Sequence, residues 1–336
     1  MFGRKSQVMI TAAFAGGLFV SAAWAADIKP AVVYDLGGKF DKSFNEGVFN
    51  GATRFKKETG VNFRDLEIQN EAQREQVLRK FAKDGFSPII MPGFAWATAL
   101  GKVADEFPNT KFAIIDAFVD KPNVQSMNFR ADEGSFLVGV IASETSKTGK
   151  VGFVGGMDIP LISAFECGYA QGVKYDSGGK TEVIANMTGT TPAAWNDPVK
   201  GGELAKSQID RGADIVYAAA GATGQGVLKA AADAGKFGIG VDSNQNGLFP
   251  GHILTSMLKR VDVATYDSFM AAKNGTWKAG NQLFGLKNDG VGYAVDENNK
   301  AILSAQAKAK AEAARADIIS GKITVHDYMT DNKCPV

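Results

Sequence analysis

The alternation of short apolar segments with helical patterns is the strongest constraint on what this chain can fold into. Strand candidates run from Ala31 to Tyr34, Val61 to Ile68, Pro88 to Met91, Phe112 to Ile115, Val151 to Val154, Glu182 to Met187, Asp214 to Ala219 and Gly238 to Val241. Strands that alternate with helices pair in parallel, with helices covering both faces of the sheet. The expected class is α/β.

The same order contains a duplication. Strands of the first half end at Asp35, at Pro92-Gly93 and at Asp116; those of the second end at Gly155-Gly156, at Gly221 and at Asp242. The last two turns stand 23 residues apart in the first half (93 to 116) and 21 in the second (221 to 242). Each half therefore reads as its own doubly wound parallel sheet. Ligands of such sheets sit outside the carboxyl ends of the strands, so two facing sheets would present all six turns to one cleft. A length of 336 residues suits two lobes of this kind.

The link between halves is expected around Ser146 to Lys150. After Asp242 come a helical pattern from Val261 to Lys273, an extended one from Gly290 to Val295 and an Ala/Lys/Glu-rich helix from Ala301 to Ser320. Late elements shared between two lobes imply several crossing segments and a hinge. The expected N-terminal lobe is 26–146 plus about 260–284, and the C-terminal lobe is 147–259 plus about 285–336.

Residues 1–25 read as a cleaved secretory signal peptide: Arg4 and Lys5 form a basic start, Val8 to Val20 an apolar run, and Ala23-Trp24-Ala25 a cleavage pattern. The expected destination is the bacterial periplasm. Setting aside Arg4 and Lys5 leaves 35 basic residues against 36 acidic ones, a net charge of −1. That balance favours neither nucleic acid nor an anionic membrane. The only cysteines are Cys167 and Cys334. An oxidising compartment permits a disulfide that would pin the C-terminal tail to the second half, and two separate thiols are the alternative. Neither cysteine follows the signal peptide, so a chain without an N-terminal lipid is expected.

The stretch Asp35 to Glu46 joins the first strand to the first helix. Gly37 and Gly38 let the chain turn, while Asp41, Ser43 and Asn45 can cap the helix or face a ligand. Phe40, Phe94, Trp96, Phe165 and Trp195 fall in or near loops, where flat side chains can clamp a planar ring. Asp116 and Asp242 end strands at matching positions, where a carboxylate can accept from vicinal hydroxyls or ring N–H groups or cap the next turn. Lys259 lies where the chain returns towards the first lobe, in reach of the cleft or of Asp242.

Catalytic patterns are weak. His252 and His326 are the only histidines and lack a His-x-x-Glu-His or Cys-x-x-Cys partner set. Gly179-Lys180-Thr181 lacks the earlier glycine of a P-loop, since Lys174 stands there, and Gly221 to Gly226 does not have dinucleotide spacing. The Gly221 turn can still offer backbone N–H groups to a polar ligand.

Taken in order, Gly37 to Asn45, Phe112 to Asp116, Val151 to Gly156, Phe165 to Gly172, Trp195 to Pro198, Ala219 to Gly224 and Gly240 to Ser243 resemble the basic membrane protein family of ABC-transporter substrate-binding proteins, which includes purine nucleoside receptors. The resemblance spans nearly the whole chain after the signal segment. It implies a periplasmic-binding-protein fold of the first type, with two lobes joined by three hinge segments, no catalysis and no cofactor. It also implies a purine stacked on Phe40 and Phe165, with Asp41, Asn45 and Asp116 near the base edges. Asp242, Lys259 and the Gly221 turn would take the sugar, and Trp96 and Trp195 would shape the pocket.

Many relatives in that family are lipoproteins, and the lack of a cysteine after the signal peptide sets this chain apart as a freely diffusing form. The expected partners are a purine nucleoside or a free base such as adenine, and an inner-membrane ABC permease. Nucleic acid is not among them, and a monomer is expected. A sugar or autoinducer receptor on the same fold is the alternative, and a nucleoside hydrolase is a third reading from another class.

Overall fold

The structure, a computed structural model, describes residues 1–3 and 28–336. The expected signal segment therefore lies almost wholly outside the described residues. The first half supplies β1 (Ala31–Tyr34), β2 (Arg64–Glu67), β3 (Ile89–Pro92), β4 (Phe112–Ile115) and β5 (Val124–Phe129), and the second supplies β6 (Lys150–Met157), β7 (Glu182–Gly189), β8 (Ile215–Ala219), β9 (Phe237–Asp242) and β10 (Ile253–Lys259). Two late strands follow, β11 (Gly280–Phe284) and β12 (Val291–Tyr293). The helices are α1 (Phe44–Thr59), α2 (Gln73–Lys83), α3 (Ala97–Glu106), α4 (Ala131–Thr145), α5 (Pro160–Ser177), α6 (Pro198–Asp210), α7 (Thr223–Asp233), α8 (Val261–Lys273) and α9 (Ala305–Ile319).

These strands make two six-stranded sheets of matching order, β11-β5-β4-β3-β1-β2 and β12-β10-β9-β8-β6-β7. Ten strands run parallel to their neighbours in the repeated part; of the late strands, β11 adds in parallel to β5 and β12 antiparallel to β10. The central strands read as continuous apolar runs because both faces are covered. Val32 and Tyr34 of β1 face a core with Val48 and Phe55 of α1 and Phe269 of α8. Ala31 and Val33 face the other way, into a core with Leu78 of α2 and Leu100 of α3. In the second sheet, Phe153 and Tyr217 pack on α4, α5 and α9 through Phe136, Tyr169 and Ala311, while Val154 and Val216 pack on α6 and α7 through Ala205 and Val227. Each large side chain so buried contributes about 1.5–3 kcal/mol.

Three strands escape a search for apolar runs. β5 reads Val-Gln-Ser-Met-Asn-Phe, and its buried polar groups have fixed partners: Ser268 donates to Gln125 Oε1 at 2.6 Å and Ser126 Oγ accepts from Val119 N at 3.0 Å. β10 carries buried Thr255 and Ser256 in the same way, and β11 is an exposed, polar edge. Polar side chains with fixed partners sit in a central strand without penalty, which hides the strand from hydropathy.

The crossings also sit where hydropathy does not mark them. The first link was expected near Ser146 to Lys150, after α4. Instead α4 packs on α5, where a Cβ on Gly172 would overlap the Phe136 carbonyl, so the chain changes sheet between Phe129 and Ala131. The second crossing follows Lys259, since α8 packs on α1, and the third falls between Phe284 and Leu286. The first two share a device: Arg130 pairs with Asp132, and Arg260 pairs with Asp262 at 2.9 Å. The three segments lie together, because Arg130 N donates to Phe284 O at 2.7 Å and the rings of Phe129 and Phe284 stack at 4.9 Å.

Cys167 on α5 and Cys334 are bonded to one another. The tail they secure runs along α5, where Gln171 donates to His326 O at 3.0 Å and accepts from His326 N at 2.9 Å.

Candidate functional site

A cavity of about 260 Å³ lies between the carboxyl ends of the two sheets. Parallel strands place their ends there by construction, and each end supplies a wall. Asp35, Gly93 and Asp116 come from β1, β3 and β4 of the first sheet; Gly221 and Asp242 come from β8 and β9 of the second. Four of these turns need unusual backbone. Gly93 and Gly221 have φ of 104° and 58°, and Asp116 and Asp242 adopt the same left-handed region at 67° and 62°. Aspartate tolerates that region better than most residues because its short side chain can bond locally.

Of the aromatic residues singled out from sequence, Phe94, Phe165 and Trp195 line the cavity. Two do not. Phe40 is 59 % exposed and packs edge-on against Phe49 at 5.3 Å, under the Lys39 ammonium, outside the cavity. Trp96 is fully buried in the core between α2, α3 and the first sheet. The ring that faces the cavity from this loop is Phe44, the first residue of α1, which in sequence reads as the start of a helix face rather than as a loop residue.

Asp41, Asn45, Asp116, Gly221, Asp242 and Lys259 all line the cavity. Their chemistry divides. Asp41 is the cap of α1: its carboxylate accepts from Ser43 N at 2.8 Å, Asn45 N at 2.9 Å and Glu46 N at 3.1 Å. Burial pushes its carboxyl up to about 7, and those three donors oppose part of the shift. Asn45 donates to Gly38 O at 3.0 Å and so braces the turn that Gly37 and Gly38 make.

The polar centre of the cavity is held across the lobes. Lys259, at the end of β10, sends its ammonium to Asp116 Oδ2 at 2.5 Å, with only 2 % and 6 % of the two side chains exposed. The pairing foreseen with Asp242 gives way to this one. Asp242 instead accepts from Ser43 Oγ at 2.5 Å; burial raises its carboxyl, and Lys259 and Ser43 pull against that. The Lys259 ammonium also lies 4.8 Å from the ring of Phe44, 5.3 Å from Phe129 and 5.5 Å from Phe165. Ammonium–ring contacts of this kind contribute from about 0.5–1 kcal/mol when exposed to about 2 kcal/mol or more when desolvated. Further bonds clamp the loop before α1: Ser243 Oγ donates to Ser43 O at 2.9 Å, Gln245 Nε2 to Lys42 O at 2.9 Å and Gln225 Nε2 to Asp41 O at 3.3 Å.

Asp35, Glu71 and Arg74 also line the cavity. Arg74 Nη2 donates to both Asp35 oxygens, at 2.8 and 3.2 Å, and Nη1 to Glu71 at 3.3 Å. Arg74 was missed because it belongs to a helix that follows a polar edge strand. The topological rule that a helix after a strand begins at the ligand end of the sheet would have found it.

Two doubly wound lobes, three hinge crossings and a cavity lined from both sides define a two-lobed small-molecule binding protein. The comparisons agree with that class and narrow it. Residues 28–328 match the family model described as "ABC transporter substrate-binding protein PnrA-like", and the chain belongs to this family. It is similar to the ABC transporter nucleoside-binding protein BmpA of Lactococcus lactis, with 31 % identity over 89 % of each chain. It is also similar to an uncharacterized lipoprotein of Pyrococcus horikoshii, with 37 % identity over 79 % of this chain and 68 % of that one. Among solved structures, an ABC transporter solute-binding protein of Aeropyrum pernix superposes with a TM-score of 0.84 and 31 % identity, covering 91 % of this chain and 95 % of that one.

These relatives correct one expectation. A freely diffusing, unanchored chain was expected from the missing N-terminal cysteine, whereas the Pyrococcus horikoshii relative and two further Pyrococcus relatives are named lipoproteins, which overturns that expectation. Both cysteines of this chain are occupied by their mutual bond, and among the described residues no helix is long and apolar enough to cross a membrane.

Proposed function

We propose that this substrate-binding protein closes its lobes on a purine nucleoside or purine base and passes it to an ABC permease, without catalysis. The observation that carries the reading is the composition of the cavity: Phe44 and Phe94 from one lobe and Phe165 and Trp195 from the other, around the Lys259–Asp116 pair and Asp242. Flat apolar walls suit a planar heterocycle, and each good stack contributes roughly 1–3 kcal/mol. Carboxylates and an ammonium at the centre suit vicinal hydroxyls, through charge-assisted bonds about twice as strong as neutral ones. The nucleoside-binding name of the Lactococcus lactis relative supports the same ligand class. Lobe closure would exclude water from the ligand and present to the permease a surface that exists only in the loaded form.

Titration calorimetry with inosine, guanosine, adenosine and the free bases tests the proposal. Binding at micromolar affinity or tighter, about −8 kcal/mol or better, is the expected result. No heat with any purine, together with binding of a monosaccharide, would overturn it in favour of a sugar receptor.

A further inference from the structure

The cavity holds two ion pairs of different origin. Lys259 and Asp116 come from opposite lobes, so their pair bridges the two. Arg74 and Asp35 both come from the first lobe, on α2 and at the end of β1, so theirs stands before closure. Strand order β4-β3-β1-β2 sets Asp35 two strand spacings from Asp116, about 10 Å. The first lobe thus offers a second polar centre, preformed and at the side of the cavity away from the hinge.

The Arg74 side chain is only 10 % exposed, and its guanidinium lies 6.0 Å from the Trp96 ring. Its Nε is buried without a partner, and the residue lines the cavity with Nη1 and Nη2 on Glu71 and Asp35. Guanidinium groups donate and never accept, and paired carboxylates accept and never donate. Side by side they offer a fixed complement to a ligand edge on which an acceptor stands next to a donor. A ring amide, C=O beside N–H, meets both through charge-assisted bonds: the carbonyl accepts from Arg74 and the ring N–H donates to Asp35. An amino-substituted edge presents an N–H₂ donor where the carbonyl would be, and so meets the guanidinium donor with another donor.

Resting on the purine reading above, we propose that Arg74 is a specificity-determining residue that, with Asp35, selects ring-amide purines over amino-substituted ones. Because the Arg74–Asp35 pair is contained within one lobe, little ordering is required when the ligand first meets it.

The test measures dissociation constants of the whole chain for inosine and adenosine, side by side, in the wild type and in Arg74→Met and Arg74→Lys. Wild type is expected to prefer inosine by roughly tenfold or more, the scale of one unpaired buried polar group. Arg74→Met should bring that preference below about threefold by weakening inosine selectively, and Arg74→Lys, which keeps the charge but loses the fork, should fall between. Thermal melts identify a variant that has lost its fold, in which case Arg74→Lys decides. Equal binding of both nucleosides by wild type, or an equal loss of both in the variants, overturns the assignment while leaving purine binding in place. Failure of wild type to bind either nucleoside and also the free bases hypoxanthine and adenine overturns the purine reading itself.

Discussion

Asp116 and Asp242 end the fourth strand of each half, both with left-handed backbone, at φ of 67° and 62°. Their partners nevertheless differ. Asp116 meets the Lys259 ammonium from the opposite lobe, while Asp242 meets the Ser43 hydroxyl. The cause is one step further along the duplication. The fifth strand ends with Phe129 in the first half and with Lys259 in the second, and each is followed by an Arg-x-Asp crossing, Arg130 with Asp132 and Arg260 with Asp262. A repeated backbone has thus been made chemically asymmetric by a few side chains: the second lobe supplies the cation at the centre of the cavity and the first lobe the carboxylate it needs.

Breaking that asymmetry should have the largest effect. Lys259→Met leaves Asp116 buried without its cation, a loss of about 3–5 kcal/mol for a broken buried pair. Calorimetry should find purine binding weakened more than a hundredfold at about 3 kcal/mol, and wild-type affinity would show that the pair is irrelevant to the ligand. Next comes the tail of the second lobe, which has no counterpart in the first. The Cys167–Cys334 bond spans 167 residues, and Cys167→Ala with Cys334→Ala should cost roughly 2–5 kcal/mol of stability in denaturant titrations. The tail touches the first crossing, where Arg130 donates to Val325 O at 3.1 Å, but neither cysteine lines the cavity, so ligand affinity should change far less than in Lys259→Met.

The aromatic walls provide a sharper comparison within one stretch. Phe44→Ala and Phe165→Ala remove rings that face each other's lobes and should each weaken purine binding by about 1–3 kcal/mol. Phe40→Ala, four residues from Phe44, removes an exposed ring and should stay within about 0.5 kcal/mol. If Phe40→Ala weakens binding as much as Phe44→Ala, the cavity has been placed on the wrong side of this loop.

The smallest effect concerns pH. Asp41 holds its proton up to about 7 in the folded protein, against an ordinary value of 3.8, so between those limits the folded state binds the extra proton. Stability contributed by this group is therefore present at low pH and declines as pH rises from about 4 through about 7. Asp41→Asn keeps a capping oxygen and should flatten that slope in thermal melts from pH 5 to 8; an unchanged slope would assign it to other groups.

Much of this could be read from the chain alone. Alternating apolar segments and helical patterns dictate two parallel sheets, because each strand must bury both faces and each crossover must be a helix. Glycine or aspartate after a strand marks the turn at the ligand end, and Gly93, Asp116, Gly221 and Asp242 all reach the cavity. The limits of local reading are as definite. β5 and β10 were hidden by polar residues whose partners come from distant elements, such as Ser268 for Gln125. Loop position could not separate Phe40 from Phe44, because the direction of a ring depends on where α1 begins and what it packs against. Only the packed lobes decided that Lys259 meets Asp116 rather than Asp242, that α4 belongs with the second sheet, and that Arg74 turns a polar helix start into part of the cavity. Sequence periodicity determines which elements form and which ends share a side; the partner of each charge depends on contacts between residues far apart in the chain, which exist only once the two sheets face one another.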